Sequence, residues 1–478
     1  MTTAPEQSYL RADLARSQAT DGVRALSKDE RIELELGLIA KGVCSGLFVS
    51  GRTLSAITER VVEPVIDSVE VTLEIDREAG TVDAAVQDRL RRRAVFVGDQ
   101  GAVLLPPGAR DVAFTPRALL APLERASSWP ASQPVVPSTV DADALSAAVD
   151  LAFEAQPDPH TTALLIAWRG QLVAERYGAD AGAQMPLAGW SLGKTLTALL
   201  IGRLIHFGAL GLDDPAPVPA WQGSDDPRRA VRVRDLLQMA GGLAFTASWA
   251  PDYDPSQGYP DHSYMYTGGI DVFDLAVSCP LAHAPGTFGA YKNSDTMVLG
   301  YLVREGSRAL GEDYLCWPQR ALFEPLGLER LTLETDPHGN FVTSGHVFGT
   351  GRDWLRLGQL LLGDGVWQGE RLLPPGYTEF LRTPAPAWRG RYLTGPGPAD
   401  WHDAIYGGHL WLNRYPPADR WPLPKDACFM LGMGGQYVFV VPSLELVIVR
   451  LGDPLGAPLE GRGALPDALR GIVAALEP

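Results

Sequence analysis

Eight consecutive residues constrain this chain more than any other stretch: Ala188-Gly189-Trp190-Ser191-Leu192-Gly193-Lys194-Thr195. They satisfy three incompatible motifs. As Ala188-x4-Gly193-Lys194-Thr195 they pass for a relaxed P-loop. As Gly189-x-Ser191-x-Gly193 they pass for a nucleophile elbow between a strand and a helix. As Ser191-x-x-Lys194 they set a serine nucleophile one helical turn from a lysine base. Each motif implies a different architecture around the same residues.

A P-loop needs a buried strand running into a glycine-rich turn whose N–H groups close around phosphate oxygens. The run-in here, Ala183-Gln184-Met185-Pro186-Leu187, has no aliphatic run, and Pro186 cannot donate to a sheet. Trp190 and Leu192 are bulky for a loop that wraps a phosphate, and Ala188 stands where the first glycine belongs. An elbow also needs a strand, followed by an acid and a histidine. His206, His262, His283, His338, His346, His402 and His409 all lie downstream, so this reading stays open but nothing directs it to a partner. Ser-x-x-Lys asks only for a helix beginning at the serine. Leu192, Leu196, Leu199, Leu200 and Leu204 recur at helical spacing. Ser191 then occupies the first turn, where the macrodipole favours developing negative charge, and Lys194 shares its face. A lysine half shielded from water can lose its proton near neutral pH and act as a base.

Two later stretches reinforce the third reading. Pro285 to Asp295 contains Tyr291-x-Asn293, whose side chains point the same way if the backbone is extended. Gly432-Met433-Gly434-Gly435-Gln436 opens the strand-like run Tyr437-Val438-Phe439-Val440-Val441. A glycine pair entering an edge strand would let a substrate approach the backbone and expose an N–H as an oxyanion donor.

With these motifs in this order, the chain resembles the serine β-lactamase-like hydrolases. That group includes class C β-lactamases, family VIII esterases, D-aminopeptidases and 6-aminohexanoate-dimer (nylon oligomer) hydrolase. The likeness runs from Thr161 to the end and extends to Val231 to Met239 and Gly351 to Gly358. Trp190 to Thr195 and Gly434-Gly435-Gln436 look closest to the nylon oligomer hydrolase branch. The resemblance implies an α+β, β-lactamase/transpeptidase-like fold: an antiparallel sheet flanked by helices, with a helical insertion.

The roles that go with this reading are as follows. Ser191 is the nucleophile. Lys194 and Tyr291 share the proton transfers, Tyr291 as phenolate or relay. The N–H groups of Ser191 and Gln436 hold the oxyanion beside Gly434 and Gly435, and Asn293 orients Lys194 and the substrate carbonyl. No metal or cofactor is expected. One departure bears on substrate. The β-lactamases and penicillin-binding proteins carry Lys or His, then Thr or Ser, then Gly in the third motif, and those side chains grip a substrate carboxylate. Met433-Gly434-Gly435 offers neither charge nor hydroxyl. A neutral small-molecule ester or linear amide is therefore the expected substrate. β-Lactamase, D-aminopeptidase or DD-peptidase activity is the alternative on the same fold. A nucleotide-binding ATPase and a catalytically inactive binding protein stand further off.

A net charge of −16 over 478 residues disfavours nucleic acid and anionic membranes as partners. No apolar run is long enough to span a bilayer, and Met1 to Gln7 lacks the basic and apolar parts of a signal peptide, so a cytoplasmic location is expected. Cys44, Cys279, Cys316 and Cys428 show no metal spacing and read as reduced core residues. The oligomeric state is not legible.

Two parts are expected along the chain. Residues 1–137 form an amino-terminal extension or lobe: a polar, frayed start, a helix over 27–42 capped by Ser27, two hairpins around Gly80 and Gly101, and a Ser/Pro-rich linker over 127–137. Cys44 to Arg52 also resembles amino-terminal segments of the same family. Residues 138–478 form the hydrolase: a helix over 141–155, a hairpin over 163–176, the nucleophile helix, a helical insertion, closing strands 437–441 and 446–450, and a last helix over 465–476. Asp213-Asp214-Pro215 reads as a helix exit and turn. The aromatic-rich stretch 246–269 reads either as a lid or pocket wall or as a surface loop with buried aromatic anchors, and His262 in it, beside Asp261, reads as a solvated loop histidine.

Overall fold

The structure, a computed structural model, describes residues 23–59, 70–87, 89–119, 129–130, 133–154, 161–250, 253–254, 256, 258–392, 395–396, 404–414, 421–452 and 464–476. The expected frayed start, residues 127–128 and 131–132 of the linker, and His402 lie outside them.

Helix α1 (Lys28–Cys44) begins in a reciprocal cap: Glu30 N–H donates to Ser27 Oγ while Ser27 N–H donates to the Glu30 carboxylate at 2.8 Å. Its Leu36, Ile39 and Val43 pack on Val82, Ala84 and Ala94. These come from an antiparallel sheet of β1 (Thr72–Asp76), β2 (Thr81–Val86), β3 (Leu90–Phe96) and β4 (Ala102–Leu104), in that order. Gly80 and Gly101 take positive φ in the hairpin turns, as their sequence positions suggest.

This lobe is pinned to the rest of the chain by buried polar groups. Arg92, 1% exposed, donates to the carbonyls of Thr267 and Gly268. The Lys41 ammonium pairs with the Glu334 carboxylate, which also accepts from Ser45 Oγ at 2.8 Å and from the Ala102 N–H at 2.9 Å.

In chain order the body contains α2 (Ala142–Phe153), β5 (Ala163–Trp168), β6 (Gln171–Tyr177), β7 (Leu187–Ala188) and α3 (Leu192–His206). Then follow α4 (Asp261–Thr267), α5 (Asn293–Ala309), β8 (Thr332–Leu333), β9 (Val347–Gly349) and α6 (Gly351–Leu362). It closes with β10 (Trp411–Leu412), β11 (Cys428–Gly432), β12 (Gln436–Val441), β13 (Leu446–Leu451) and α7 (Ala464–Leu476). The main sheet is antiparallel throughout, ordered β10-β11-β12-β13-β5-β6.

Both faces of that sheet are covered, so its strands read as unbroken apolar runs. Tyr437, Phe439 and Val441 share one core with α2 and α7, while Val438 and Val440 share another with α3 and α6. Gly358 brings α6 down onto the sheet: a Cβ there would meet Val447 Cγ1 at 2.5 Å. The result is the α+β architecture expected. One expectation fails, however. Strand β12 is interior and not an edge strand, because β11 and the two-residue β10 add beyond it. A strand as short as Trp411-Leu412 leaves no periodicity to read.

Helix α3 is buried on every side from Leu192 to Leu204 and packs against α5. Cys44, Cys279 and Cys428 are buried, but Cys316 is only half-buried. Asp214 closes the expected turn by accepting from the Gly211 N–H at 2.7 Å. No helix among the described residues is long and apolar enough to cross a membrane.

Candidate active site

A small sheet ordered β8-β9-β7 delivers the chain to Ser191. Gly189 N–H is tied to the Val347 carbonyl at 2.8 Å, and a Cβ on Gly189 would lie 2.4 Å from Trp354 Cζ2. Trp190 then takes φ +48, a left-handed conformation that costs a non-glycine residue free energy. Ser191 itself is relaxed at φ −65. Gly193 is required because Thr343 O would stand 2.2 Å from its Cβ.

Both glycines of the apparent elbow are thus packing residues, and no histidine among the described residues is hydrogen-bonded to Ser191. The P-loop reading fails on the same stretch. The N–H groups of Leu192, Gly193 and Lys194 are already given to the carbonyls of Gly189, Trp190 and Ser191. They cannot also line a phosphate.

Lys194 Nζ lies 2.9 Å from Ser191 Oγ and donates to the Ser344 carbonyl at 2.7 Å. Lys194 is 1% exposed, and loss of solvation pushes its pKa well below the ordinary amine value. Its Nζ stands 5.0 Å from the centre of the Tyr291 ring. Tyr291 is buried among Trp249, Tyr406 and Trp411. Burial raises its pKa, against a smaller lowering by the hydrogen bond to Ser191. The phenol is therefore protonated in the resting site.

Tyr291 and Asn293 flank Lys292, which is extended, but Asn293 already begins α5. Its amide meets His262 Nδ1 at 2.8 Å, and it is not among the hydrogen-bond partners of Lys194 Nζ. His262 overturns the expectation of a solvated loop histidine. It is buried in α4 against Trp249, 4.2 Å between ring centres, and burial lowers its pKa to about 3. Asp261 is likewise buried, paired with Arg24 at 2.5 Å. The aromatic-rich segment is therefore a wall of the site.

Gly432 pairs with Gln436, and a Cβ on Gly432 would meet the Gly189 carbonyl oxygen at 2.3 Å. Strand β11 and the Met433-Gly434-Gly435 turn therefore run directly against the nucleophile turn. Gly434 and Gly435 both need positive φ, +77 and +74. The turn is fixed from inside by Arg450, whose guanidinium donates to the carbonyls of Gly434 and Gly435, while Gln436 Oε1 accepts from the Gly452 N–H at 2.9 Å. The Ser191 N–H has no acceptor among the described residues.

Sequence reasoning missed Ser344, Tyr266 and Arg450. Tyr266 donates to Ser344 Oγ at 3.1 Å and so braces the residue whose carbonyl holds Lys194. Arg450 left a signal, a lone charge within the apolar run Leu446 to Leu451. Among the described residues no group of three or more His, Cys, Asp and Glu stands where it could hold a metal ion.

Residues 149–456 match the family model described as Beta-lactamase, well over half of the chain. The chain belongs to that family of serine hydrolases. An uncharacterized protein of Mycobacterium tuberculosis (strain CDC 1551 / Oshkosh) is 26% identical over 260 residues, 42% of this chain and 63% of that protein. The match thus spans under two thirds of the length of that curated relative.

Among solved structures, a penicillin-binding protein homologue from Caulobacter crescentus is similar at TM-score 0.55 and 18% identity, over 72% of this chain and 99% of that one. A family VIII carboxylesterase follows at TM-score 0.53 and 14% identity, over 72% and 99%. A candidate 6-aminohexanoate-dimer hydrolase from Bacillus anthracis gives 0.50 and 21%, over 66% and 77%. At these identities the likeness is one of fold.

Proposed function

We propose that this member of the β-lactamase family cleaves neutral carboxylic esters or linear amides through an acyl-enzyme on Ser191. The observation that carries the reading is the 2.9 Å contact between Ser191 Oγ and a desolvated Lys194 Nζ. A neutral amine with one N–H held by the Ser344 carbonyl has its lone pair available for the serine proton. Ser191 Oγ attacks the carbonyl carbon as its proton passes to Nζ, and the oxyanion forms against the Ser191 and Gln436 N–H groups. Tyr291, as a protonated phenol, relays the proton to the leaving oxygen or nitrogen, and the C–O or C–N bond breaks. Water then repeats the sequence on the acyl-enzyme: its proton goes to the same pair, its oxygen to the carbonyl carbon, and Ser191 regains its hydrogen.

The glycine turn supports the neutral substrate. Met433, 37% exposed at its tip, has neither charge nor hydroxyl with which to replace the water around a carboxylate. The test compares kcat/KM for p-nitrophenyl acetate, p-nitrophenyl butyrate and a linear amide dimer with that for nitrocefin. A missing charged hydrogen bond is worth about 1.5–3 kcal/mol, so nitrocefin should lag by roughly ten- to a hundredfold. Nitrocefin turned over as well as the best neutral substrate would sink the ester and amide assignment and favour a β-lactamase.

A further inference from the structure

Ser191, Lys194 and Tyr291 all belong to the body, yet the segments that hold Lys194 in place are tied to the lobe. Two segments meet beside this lysine. One is α4, which carries Tyr266, and the other is the turn over 342–346, which carries Ser344. The Tyr266 hydroxyl donates to Ser344 Oγ at 3.1 Å, and a Cβ on Gly345 would lie 2.6 Å from that same phenol oxygen. The Ser344 carbonyl accepts from Lys194 Nζ at 2.7 Å and stands 3.5 Å from Ser191 Oγ. The position of this one carbonyl therefore helps to decide where the amine sits relative to the hydroxyl.

The lobe grips both segments through buried charges. Residues 23–24 pair with 259–260 just ahead of α4, and Arg24 meets Asp261 at the first residue of that helix. At its other end Arg92 donates to the Thr267 carbonyl at 3.1 Å and the Gly268 carbonyl at 3.2 Å, directly after Tyr266. The 342–346 turn is closed by the backbone of Glu334. Its N–H donates to the His346 carbonyl at 3.0 Å, and its carbonyl accepts from the Val342 N–H at 2.9 Å. The Glu334 side chain is buried and reaches into the lobe, where Lys41, Ser45 and the Ala102 N–H hold it. Removing one member of such a buried pair leaves the other charge desolvated and alone, so these contacts do not loosen readily.

We propose that the lobe is a positioning device for Lys194. Arg92 acts through Tyr266, and Lys41 acts through Glu334 and the 342–346 turn, and together they hold the Ser344 carbonyl against the amine. The proposal rests on the hydrolase reading above.

Lys194 owes its lowered pKa to desolvation, so a loosened turn that admits water raises it. The titratable groups on the elements around it do not counter this. Burial keeps Tyr266 and Tyr291 protonated and keeps His262, His346 and His409 neutral. Asp295 of α5 is engaged by the Gly241 N–H at 3.0 Å.

The experiment compares the wild type with Arg92→Met, Lys41→Met and Tyr266→Phe on p-nitrophenyl butyrate. Val82→Ala is the control, since it opens a hole in the lobe's own core and leaves both anchors in place. Each of the three should move the acid limb of kcat/KM up by about one pH unit or more. That is roughly a tenfold loss on the acid side, recovered as pH rises, with KM little changed. Val82→Ala should lower the melting temperature and leave the limb where it is. Hydrogen exchange reads the same contacts without turnover: Arg92→Met should lose protection over 261–268, and Lys41→Met over 342–347. Tyr266→Phe keeps the lobe whole, so it reports even where a lobe variant fails to fold.

A wild type that turns over no ester or amide, with exchange protection lost as stated, would overturn the hydrolase reading and keep the anchoring. Active variants whose acid limb stays with the wild type, or a limb that moves as far in Val82→Ala, would overturn the positioning role alone.

Discussion

The Arg450 guanidinium donates to the Gly435 carbonyl at 2.8 Å, inside a residue only 1% exposed. A second bond from the same nitrogen reaches the Gly434 carbonyl. A buried cation on the last strand of the sheet thus sets the shape of a turn that contains no charged residue. Arg450→Met should remove charged hydrogen bonds worth about 1.5–3 kcal/mol each and lower acylation rates with little change in KM. Denaturant unfolding and single-turnover kinetics would show it. An unchanged acylation rate in a destabilised protein would mean that the turn keeps its shape unaided.

Ser191→Ala should abolish turnover with the melting temperature intact. The hydroxyl makes no capping bond to the helix that it heads, so even the usual cap contribution of about 1 kcal/mol is not at stake. Retention of more than a small fraction of activity would remove Ser191 as nucleophile.

Lys194→Ala and Tyr291→Phe should each slow acylation by several orders of magnitude, and the double variant should be little worse than either. Groups acting as one proton-transfer unit are non-additive. Losses that multiply would assign the two residues to separate steps.

The pH profile follows from the same pair. Only neutral Lys194 accepts the serine proton, and burial lowers its pKa well below 10.5. The acid limb of the rate should therefore lie well below the ordinary amine range, the rate falling as acid protonates the amine. The alkaline limb, from Tyr291, should lie above the ordinary phenol value because burial raises that pKa. Lys194→Arg should be inactive throughout, since a guanidinium does not deprotonate in proteins. A log kcat/KM still climbing with unit slope towards pH 10 would mean that Lys194 titrates as a solvated amine.

Gly193→Ala probes the motif that looked like an elbow. Its Cβ would meet a backbone oxygen at 2.2 Å, which cannot swing aside as a side chain can. Overpacking of this kind typically costs 1–3 kcal/mol. A fully stable, active Gly193→Ala would show that the glycine is not held there by packing.

Much of this fold was legible because its elements carry local signals. Ser27 and Glu30 announce α1, and the apolar run at 437–441 announces a strand buried on both faces. The order Ser191, Lys194, Tyr291, Gly434 was legible as a set of motifs. What escaped acts across the fold or through backbone. Ser344 contributes a carbonyl that any residue could supply, so its identity carries no trace. His262 looked solvated because nothing nearby in sequence foretells that Trp249 and Asn293 close over it. Strand β12 looked like an edge because its outer neighbours are announced weakly.

The Lys41–Glu334 pair also bears on how the chain is made. Its two members are 293 residues apart. At about 5–20 residues per second, Lys41 leaves the ribosome roughly 15–60 s before its partner exists. The lobe has an apolar core of its own and can begin to collapse at once. During that interval its lysine must stay in water, and Leu34 of α1, which packs into the body's core, stands uncovered. Completion of the first part of this protein therefore waits on a residue made 293 positions later, and until then its uncovered apolar face is open to another nascent chain.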